Sequence, residues 1–233
     1  MISAQKTIDG SLTLFSDVFQ ETYHSRHGAI TESLHIFIEN GLRIKLSENQ
    51  ILKVGEIGLG TGLNAMLSLR FAEENKQKID YFSIEAYPIP EECKSQICDS
   101  YSYLGLENFE KLLEQKPNLE IDISPTFRFQ WFHLKWPEQN PFSELDVLFY
   151  DAFAPDSQPE LWDELAMKQA YSALKLGGIL VTYCAKAYVK RNMKAVGFEV
   201  ERLKGPPGKL EMTRATKNVN DLNPTSFSQE ENS

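Results

Sequence analysis

The sequence has few cysteines and no long apolar run. Three of its 233 residues are cysteine, and their spacing suits neither a disulfide framework nor a four-ligand zinc site. No stretch approaches the roughly 18 to 20 apolar residues that a membrane-spanning helix needs, and the N-terminus lacks the basic-then-apolar order of a signal peptide. We therefore expect a cytoplasmic protein that has no metal site and no membrane partner.

The composition is not that of a disordered chain. Hydrophobic residues make up 42% of it and charged residues 24%, which is typical of a soluble globular protein. At this length one main domain is expected. We divide the chain into an N-terminal extension packed on the core (residues 1–45), the core itself (46–217) and a disordered tail (218–233).

Positive charge is scarce and unevenly distributed. The net charge is −9, which on its own argues against a nucleic-acid partner because phosphate contacts need clustered Lys and Arg. Residues 171–217, however, carry 10 Lys and Arg against 3 Asp and Glu, whereas residues 1–170 carry 14 against 27. This basic third (residues 171–217) is either one directed contact face or an ordinary solvated surface.

Short apolar strands alternate with helical segments, a pattern typical of βαβ units and a mostly parallel sheet with helices on both faces. The predicted strands cover residues 51–57, 79–85, 127–134, 146–150, 179–184, 198–203 and 211–216, the last antiparallel to its predecessor. The predicted helices cover residues 31–40 (ended by Gly41), 63–74, 91–113 (broken near Gly105), 162–174 (closed by Gly177-Gly178) and 187–196. A short hairpin or extension precedes this α/β fold.

A glycine-rich turn follows the first of these strands and contains Gly58, Gly60 and Gly62. Glu56 lies two residues before the first of these glycines. Glycine lets the backbone turn sharply and approach a ligand without a Cβ in the way. The spacing differs from the Gly-x-Gly-x-x-Gly of dinucleotide sites and is similar to that of class I S-adenosylmethionine-dependent methyltransferases. The carboxylate of Glu56 also suits a cationic methyl donor better than the anionic pyrophosphate of a dinucleotide. Taken alone, the turn also fits a plain strand-to-helix connection.

Glu85 closes the next strand, where a carboxylate can accept hydrogen bonds from both hydroxyls of a ribose. The glycine turn and Glu85 each stand at the end of one of two successive strands, so together they predict an S-adenosylmethionine site. The residues predicted to bind this cofactor are Glu56, Gly58, Leu59, Gly60, Thr61, Gly62, Asn64 and Glu85.

Asp151 follows the strand at 146–150 and should reach the same sheet edge as the glycine turn. A carboxylate there can accept a hydrogen bond from an amine, orient its lone pair and take or relay a proton. We predict that Asp151 is catalytic. The alternative is an aspartate that caps a helix or stabilises a turn.

Three segments of the chain together resemble one family. They are Asp-Ala-Phe-Ala-Pro at residues 151–155, the N-terminal runs 9–14 and 21–29, and Gly-Pro-Pro-Gly-Lys-Leu-Glu-Met-Thr-Arg at 205–214. They are similar to the methyltransferase domain of the MnmC family, whose members complete 5-methylaminomethyl-2-thiouridine at the wobble position of certain tRNAs. The resemblance covers about residues 7–216.

This resemblance implies a class I, Rossmann-like methyltransferase fold, with S-adenosylmethionine as the cofactor and Asp151 at the reacting centre. The implied activity is N-methylation of 5-aminomethyl-(2-thio)uridine in tRNA. Bifunctional members of the family also carry an FAD-dependent oxidase half, which this sequence of 233 residues lacks. We therefore expect the substrate either to be made directly in the tRNA or to be produced from the carboxymethylaminomethyl form by a separate FAD-dependent oxidase.

Two positions depart from the family pattern. His133-Leu134 stand where a Gly-Asp is expected after the third parallel strand, so the usual acidic contact to the adenine amine is missing. Lys209-Leu210 stand where two basic residues are expected. Lys209 is accordingly predicted to bind the substrate. The candidate phosphate contacts in the basic third are Lys186, Lys190, Arg191, Lys204 and Lys209.

Other residues are expected to bind the substrate or to cover the pocket. Tyr23 is predicted to stack on a base or line the pocket, and Phe153 to stack on a flipped uracil. His24, Arg26 and His27 are predicted to reach phosphate or to cap the cofactor pocket. The alternative is that this segment is a structural lid held by ordinary hydrogen bonds.

Two other functions remain open from the sequence. The first is a methyltransferase for a small amine or a protein side chain, which would use the same glycine turn and the same two acids. The second is a non-catalytic module that binds S-adenosylmethionine or RNA. Retention by tRNA separates the first from the tRNA enzyme, and turnover separates the second.

Overall fold

The computed structural model describes residues 2–47, 50–101 and 109–218. Two sheets organise them, one of three antiparallel strands and one of eight strands. The small sheet contains β1 (Ile2–Lys6), β2 (Leu12–Ser16) and β3 (Glu21–Thr22). The large sheet contains β4 (Leu52–Ile57), β5 (Ile79–Ile84), β6 (Ile121–Ser124), β7 (Phe127–Phe132), β8 (Leu145–Tyr150), β9 (Leu174–Thr182), β10 (Phe198–Lys204) and β11 (Glu211–Lys217).

The large sheet has the strand order β10-β11-β9-β8-β4-β5-β7-β6. Strands β7, β5, β4, β8 and β9 are parallel, and β11 pairs antiparallel with both β9 and β10. The predicted parallel sheet and its antiparallel return are therefore confirmed. The chain leaves β4 toward β5 and later returns to its other side as β8, so the strand order reverses there. Ligands of open α/β sheets bind at the carboxyl ends of strands at such a point.

Helices cover both faces of the sheet. The first helix begins as α1 (Ala29–Ser33), continues as a π-helical run (Leu34–Leu42) and ends in a 3-10 turn (Arg43–Lys45). The others are α2 (Leu63–Asn75), α3 (Glu91–Tyr101), α4 (Phe109–Leu113), a 3-10 turn (Pro159–Leu161), α5 (Glu164–Ala173) and α6 (Ala187–Ala195). The first helix, α2, α3 and α4 share one apolar core, and α5 and α6 share another.

Strand β8 lies at the centre of this arrangement, and each of its six residues is buried. An unbroken apolar run is typical of a strand covered on both faces. Strand β7 instead alternates buried with more exposed residues. The burial of β8 fixes the position of the loop that follows it, which begins at Asp151.

Two predicted glycine stops are wrong. The first helix continues past Gly41 to Lys45, and a Cβ at Gly41 would lie 3.0 Å from a ring carbon of Phe149 in β8. Helix α5 ends at Ala173 and β9 starts at the next residue, so Gly177 and Gly178 lie inside that strand. A Cβ at Gly178 would lie 2.7 Å from the carbonyl oxygen of Leu145. At both positions glycine permits close packing against β8.

Other boundaries agree with the predicted strands and helices to within about three residues. Strand β6 was not predicted, and it pairs antiparallel with β7 through an irregular register. The expected break near Gly105 and the expected tail beyond residue 218 lie outside the described residues. Within the described ranges, no helix combines the length and the apolar character that crossing a membrane requires.

The N-terminal extension packs beside the carboxyl edge of the large sheet. The Tyr101 hydroxyl on α3 donates a hydrogen bond to the carbonyl oxygen of Leu12 at 2.6 Å. The carboxylate of Glu21 in β3 accepts a hydrogen bond from the backbone N–H of Ala154 at 2.9 Å. The extension therefore forms a wall over the ends of the central strands.

Candidate functional site

A cavity of about 480 Å³ lies between this wall and the carboxyl edge of the sheet. Its lining comes from the turn after β4, the end of β5, the segment after β7, the loop after β8, the end of β9 and the N-terminal extension. Ten residues predicted from the sequence line it, namely Tyr23, His24, Gly58, Leu59, Gly60, Asn64, Glu85, Asp151, Phe153 and Lys209. The structure thus brings the predicted cofactor turn and the predicted catalytic acid into one site.

The glycine turn needs its glycines for two physical reasons. Gly58, Gly60 and Gly62 all have left-handed backbone angles, with φ of +92°, +52° and +76°. A Cβ at Gly58 would lie 2.7 Å from the carbonyl oxygen of Asp151, and one at Gly60 would lie 3.1 Å from the Tyr23 ring. The turn therefore passes tightly between the loop after β8 and the extension.

Gly62 and Thr61 do not line the cavity. A Cβ at Gly62 would face the Leu113 side chain of α4 at 3.0 Å, so this glycine allows α2 to start close to α4. Thr61 is buried, and its hydroxyl lies 3.4 Å from Nε2 of His24. Neither residue is part of the cavity lining, and their contact with the cofactor stays a prediction.

Glu56 also lies outside the cavity lining, because its side chain is completely buried below the turn. Its two carboxylate oxygens accept hydrogen bonds from Nδ2 of Asn64 at 3.0 Å and from the hydroxyl of Ser83 at 2.9 Å. Burial and then the charge of Asp151 raise the pKa of Glu56 to about 8, against the effect of these hydrogen bonds. In this structure Glu56 therefore contacts Asn64 and not the cavity.

Asn64 connects the two acids. Its Nδ2 also donates to Oδ2 of Asp151 at 2.8 Å. Its Oδ1 is buried and has no hydrogen-bond partner among the described residues. A buried acceptor without a partner is costly, so this atom is available to a donor group of a bound ligand.

Glu85 lies at the end of β5, as predicted. Its Oε2 accepts a hydrogen bond from the N–H of Gly60 at 2.9 Å, and its Oε1 accepts one from the N–H of Tyr87 at 2.7 Å. Each carboxylate oxygen retains a further lone pair that can accept from a hydroxyl. Burial raises the pKa of Glu85, and these backbone hydrogen bonds lower it. The carboxylate of Glu85 therefore fits the two hydroxyls of an adenosine ribose.

Asp151 follows β8, and its backbone N–H donates to the carbonyl oxygen of Ile57 at 3.0 Å. Burial raises the pKa of its carboxyl to about 7, with a further rise from Glu32, against Asn64 and Lys209, which lower it. Asp151 caps no helix within the described ranges, and α5 is capped by Asp163 instead. The Asp151 carboxyl is thus poised to exchange a proton near neutral pH.

Phe153 lies in an aromatic group at the mouth of the cavity. Its ring stacks on Phe19 at 4.5 Å between centroids and meets Tyr23 edge-on at 5.0 Å. Its carbonyl oxygen accepts a hydrogen bond from the Trp162 indole at 2.8 Å. One face of Phe153 is therefore already covered by Phe19 in this structure.

The polar segment of the extension divides into two parts. His24 lines the cavity between Thr13 and Thr61, and burial lowers its pKa to about 4. A neutral imidazole is a poor phosphate contact, so the cap function fits His24 better. Arg26 and His27 are exposed and do not line the cavity, which places both outside the predicted pocket. In the described ranges, no three His, Cys, Asp or Glu side chains are placed to hold a metal ion.

Lys209 projects into the cavity, although a phosphate contact had been predicted for it. Its Nζ lies 2.6 Å from Oε1 of Glu32 and 4.0 Å from the centroid of the Tyr183 ring. Lys190 is also withdrawn, since it is 8% exposed and pairs with Glu211 at 3.3 Å. Lys186 pairs with an exposed aspartate. The two other candidate cations, Arg191 and Lys204, are exposed.

Tyr183, Glu21 and Glu32 lie in this site but were not among the predicted site residues. Tyr183 follows β9, the neighbour of β8, and the sheet-edge argument used for Asp151 would have located it. Glu21 and Glu32 carry no such signal, because their positions depend on how the extension folds back onto the core. The position of the expected adenine contact is taken by Leu134, which lines the cavity, while the exposed His133 faces the carbonyl oxygen of Ala86.

Comparisons of the sequence point in the same direction. A family model described as S-adenosyl-L-methionine-dependent methyltransferase matches residues 133–218. The tRNA 5-methylaminomethyl-2-thiouridine biosynthesis bifunctional protein MnmC of Marinomonas sp. (strain MWYL1) is 28% identical over 219 residues, which cover 85% of this chain and 31% of that protein. The chain thus spans about a third of the length of this relative.

Solved structures show the same fold. The crystal structure of MnmC2 from Aquifex aeolicus has a TM-score of 0.77 and 24% identity, covering 97% of this chain and 73% of that chain. Spermidine synthase from Thermotoga maritima has a TM-score of 0.59 and 15% identity, covering 95% and 70%.

The solved structures show the predicted class I methyltransferase fold, and the description of the matching family model agrees with the predicted cofactor, S-adenosylmethionine. The similar proteins include MnmC proteins, the family whose methyltransferase domain the motifs of this chain resemble.

Proposed function

We propose that this protein methylates the exocyclic amine of 5-aminomethyl-(2-thio)uridine at the wobble position of tRNA. The observation that carries the proposal is the position of Asp151, which lies in one cavity with the glycine turn and Glu85 and is linked to that turn by Asn64. The similarity to MnmC proteins supports the choice of an aminomethyluridine as the acceptor.

One side of the cavity binds the cofactor, and the other binds the substrate amine. The backbone of the glycine turn and Glu85 hold the cofactor, which supplies an electrophilic methyl group on a sulfonium. Leu59 and Asn64 complete that side. Asp151 accepts a hydrogen bond from the substrate amine and orients its lone pair toward the methyl carbon. Its raised pKa suits it to take the proton that the amine must lose.

The aromatic group at the mouth suits a planar base. Tyr23 and Phe153 meet edge-on at 5.0 Å between centroids, and a flipped uracil that stacks on one of these rings would gain about 1 to 3 kcal/mol. Because Phe19 covers one face of Phe153, the base would use the opposite face or displace Phe19. His24 then closes the cofactor side, and the extension serves as the lid of the core.

The remaining partners follow from the same proposal. The exposed cations Arg191 and Lys204 would meet the tRNA backbone, since Lys190 and Lys209 are engaged within the protein. The aminomethyl group must be generated beforehand, directly or by FAD-dependent oxidation of a carboxymethylaminomethyl group. Where oxidation generates it, we assign that step to an FAD-dependent oxidase.

The direct test is methyl transfer to tRNA from a strain that lacks the modification. With labelled S-adenosylmethionine, digestion of the product to nucleosides should yield labelled 5-methylaminomethyl-(2-thio)uridine. Asp151→Asn serves as the inactive control. Labelling of free diamines or of protein, with unlabelled tRNA, would instead establish the small-amine or side-chain methyltransferase.

A further inference from the structure

Lys209 is a cation inside a cavity that receives a cationic substrate. Its ammonium pairs with Glu32 at 2.6 Å and lies over the ring of Tyr183 at 4.0 Å. The Lys209 side chain is 31% exposed and that of Glu32 is 10% exposed. This withdrawn position is unlike that of a residue that reaches for phosphate on a tRNA surface.

Both partners of Lys209 are themselves fixed. The second oxygen of Glu32 accepts a hydrogen bond from the backbone N–H of Ser25 at 2.8 Å. The hydroxyl of Tyr183 donates to the carbonyl oxygen of Ala152 at 2.8 Å. The ammonium is therefore held beside the loop that carries Asp151, rather than free to follow a ligand.

The charged and titratable groups around this ammonium come from every element that packs there. Glu32 belongs to α1, Asp151 to the loop after β8, and Tyr183 and Cys184 to the end of β9. The extension adds His24 and Glu21, and His27 packs against Gly208. Two carboxylates, Asp151 and Glu32, thus share one nearby cation.

Methyl transfer to an amine has a specific difficulty in such a site. A primary alkylamine has a pKa near that of lysine, about 10.4, and its ammonium form has no lone pair. Carboxylates attract this ammonium and stabilise it further. With Asp151 and Glu32 alone, the site would bind the substrate in its unreactive form. A fixed cation acts in the opposite direction, because like charges disfavour a second positive charge.

We propose that Lys209 is a positioning residue whose ammonium, held by Glu32 and Tyr183, keeps the substrate amine beside Asp151 in its neutral and nucleophilic form. This inference rests on the proposed function. The substrate ammonium first loses a proton to solvent by way of Asp151. The nitrogen then bonds to the methyl carbon, the sulfur–methyl bond breaks with its electron pair going to sulfur, and the resulting methylammonium sheds the second proton.

The experiment is the pH dependence of single-turnover methyl transfer with saturating tRNA and S-adenosylmethionine. Lys209→Met removes the charge, Lys209→Arg retains it, and Lys78→Met removes an exposed charge outside the cavity. We expect Lys209→Met to move the acidic limb of the rate profile up by about one pH unit, so that the rate near neutral pH falls about tenfold and recovers at high pH. The acidic limbs of Lys209→Arg and Lys78→Met should stay with that of the wild type.

Two outcomes overturn the inference. The first is an unmoved limb in Lys209→Met. The second is a fall of about one in the slope of log K against log salt for tRNA binding, which would identify Lys209 as a phosphate contact. If Lys209→Met fails to fold, the acidic limb of Lys209→Gln is compared with that of the wild type instead. A wild-type protein that does not methylate the tRNA refutes the proposed function itself, whereas active wild type with an unmoved limb refutes only the role of Lys209.

Discussion

Asn64 donates a hydrogen bond from Nδ2 to Oδ2 of Asp151 at 2.8 Å. The same nitrogen donates to the buried carboxyl of Glu56 at 3.0 Å. One amide thus serves two acids that would otherwise repel each other when ionised. The glycine turn and the reacting loop are joined by this group, so the position of the cofactor and the state of Asp151 depend on each other.

Replacing Asn64 with Ala should therefore affect both stability and pH dependence. Two buried acids lose a donor, and we expect the free energy of unfolding to fall by about 1 to 3 kcal/mol. The pKa of Asp151 should rise further, because the hydrogen bond that lowers it is gone. Urea denaturation and the rate profile measure the two effects. Asn75→Ala removes a side-chain amide hydrogen bond at the end of α2 and should leave the pH dependence of the rate unchanged.

Asp151→Asn keeps the size and one acceptor of the side chain but removes its charge. Binding of S-adenosylmethionine should survive, while methyl transfer falls by about 10² to 10⁴. Rising pH should partly restore the rate, since it supplies free amine. Calorimetry and single-turnover assays separate the two quantities. Turnover equal to wild type near pH 7 would make Asp151 a structural residue.

Glu85→Ala removes the acceptor predicted for the ribose. Affinity for S-adenosylmethionine should fall by about 1 to 3 kcal/mol, the range for hydrogen bonds to a charged group. Titration calorimetry measures it, and Glu92→Ala on the exposed side of α3 is the control. An affinity unchanged from wild type would show that the ribose binds elsewhere in the cavity.

The buried carboxyl of Glu56 makes stability depend on pH. Its pKa is raised from 4.5 to about 8 in the folded protein, so the folded state binds a proton that the unfolded state has lost between these two values. Stability that is fully present below about pH 4.5 should decline as the pH rises toward about 8. Glu56→Gln should flatten this decline, as thermal unfolding at a series of pH values would show. An equal decline in the variant would assign it to other groups.

The strands and helices could be predicted because their periodicity is written in local sequence. The buried run of β8 and the alternation of β7 are examples. Gly41 and Gly178 were misread because a glycine that ends a helix looks the same as one that admits a neighbouring element. Only the packing of β8 against each of them decides between the two roles.

The site likewise contains residues that the local sequence predicts and residues that it does not. Gly58, Glu85 and Asp151 follow parallel strands, and the carboxyl ends of such strands meet at one edge. Glu32 and the inward position of Lys209 depend on the extension and the closing loop folding toward each other. No local pattern encodes a contact of that kind, and none shows that Glu56 lies beneath the turn rather than facing the ligand.

The wall of the cavity is made from the two ends of the chain. Glu21 meets Ala154 across 133 residues of sequence, and Glu32 meets Lys209 across 177. During synthesis the extension emerges from the ribosome first and must wait for both partners. Contacts this distant in sequence close late and slow folding. A nascent chain that has made β4 to β9 still lacks Lys209, so the contact with Glu32 cannot form until the closing loop has been synthesised.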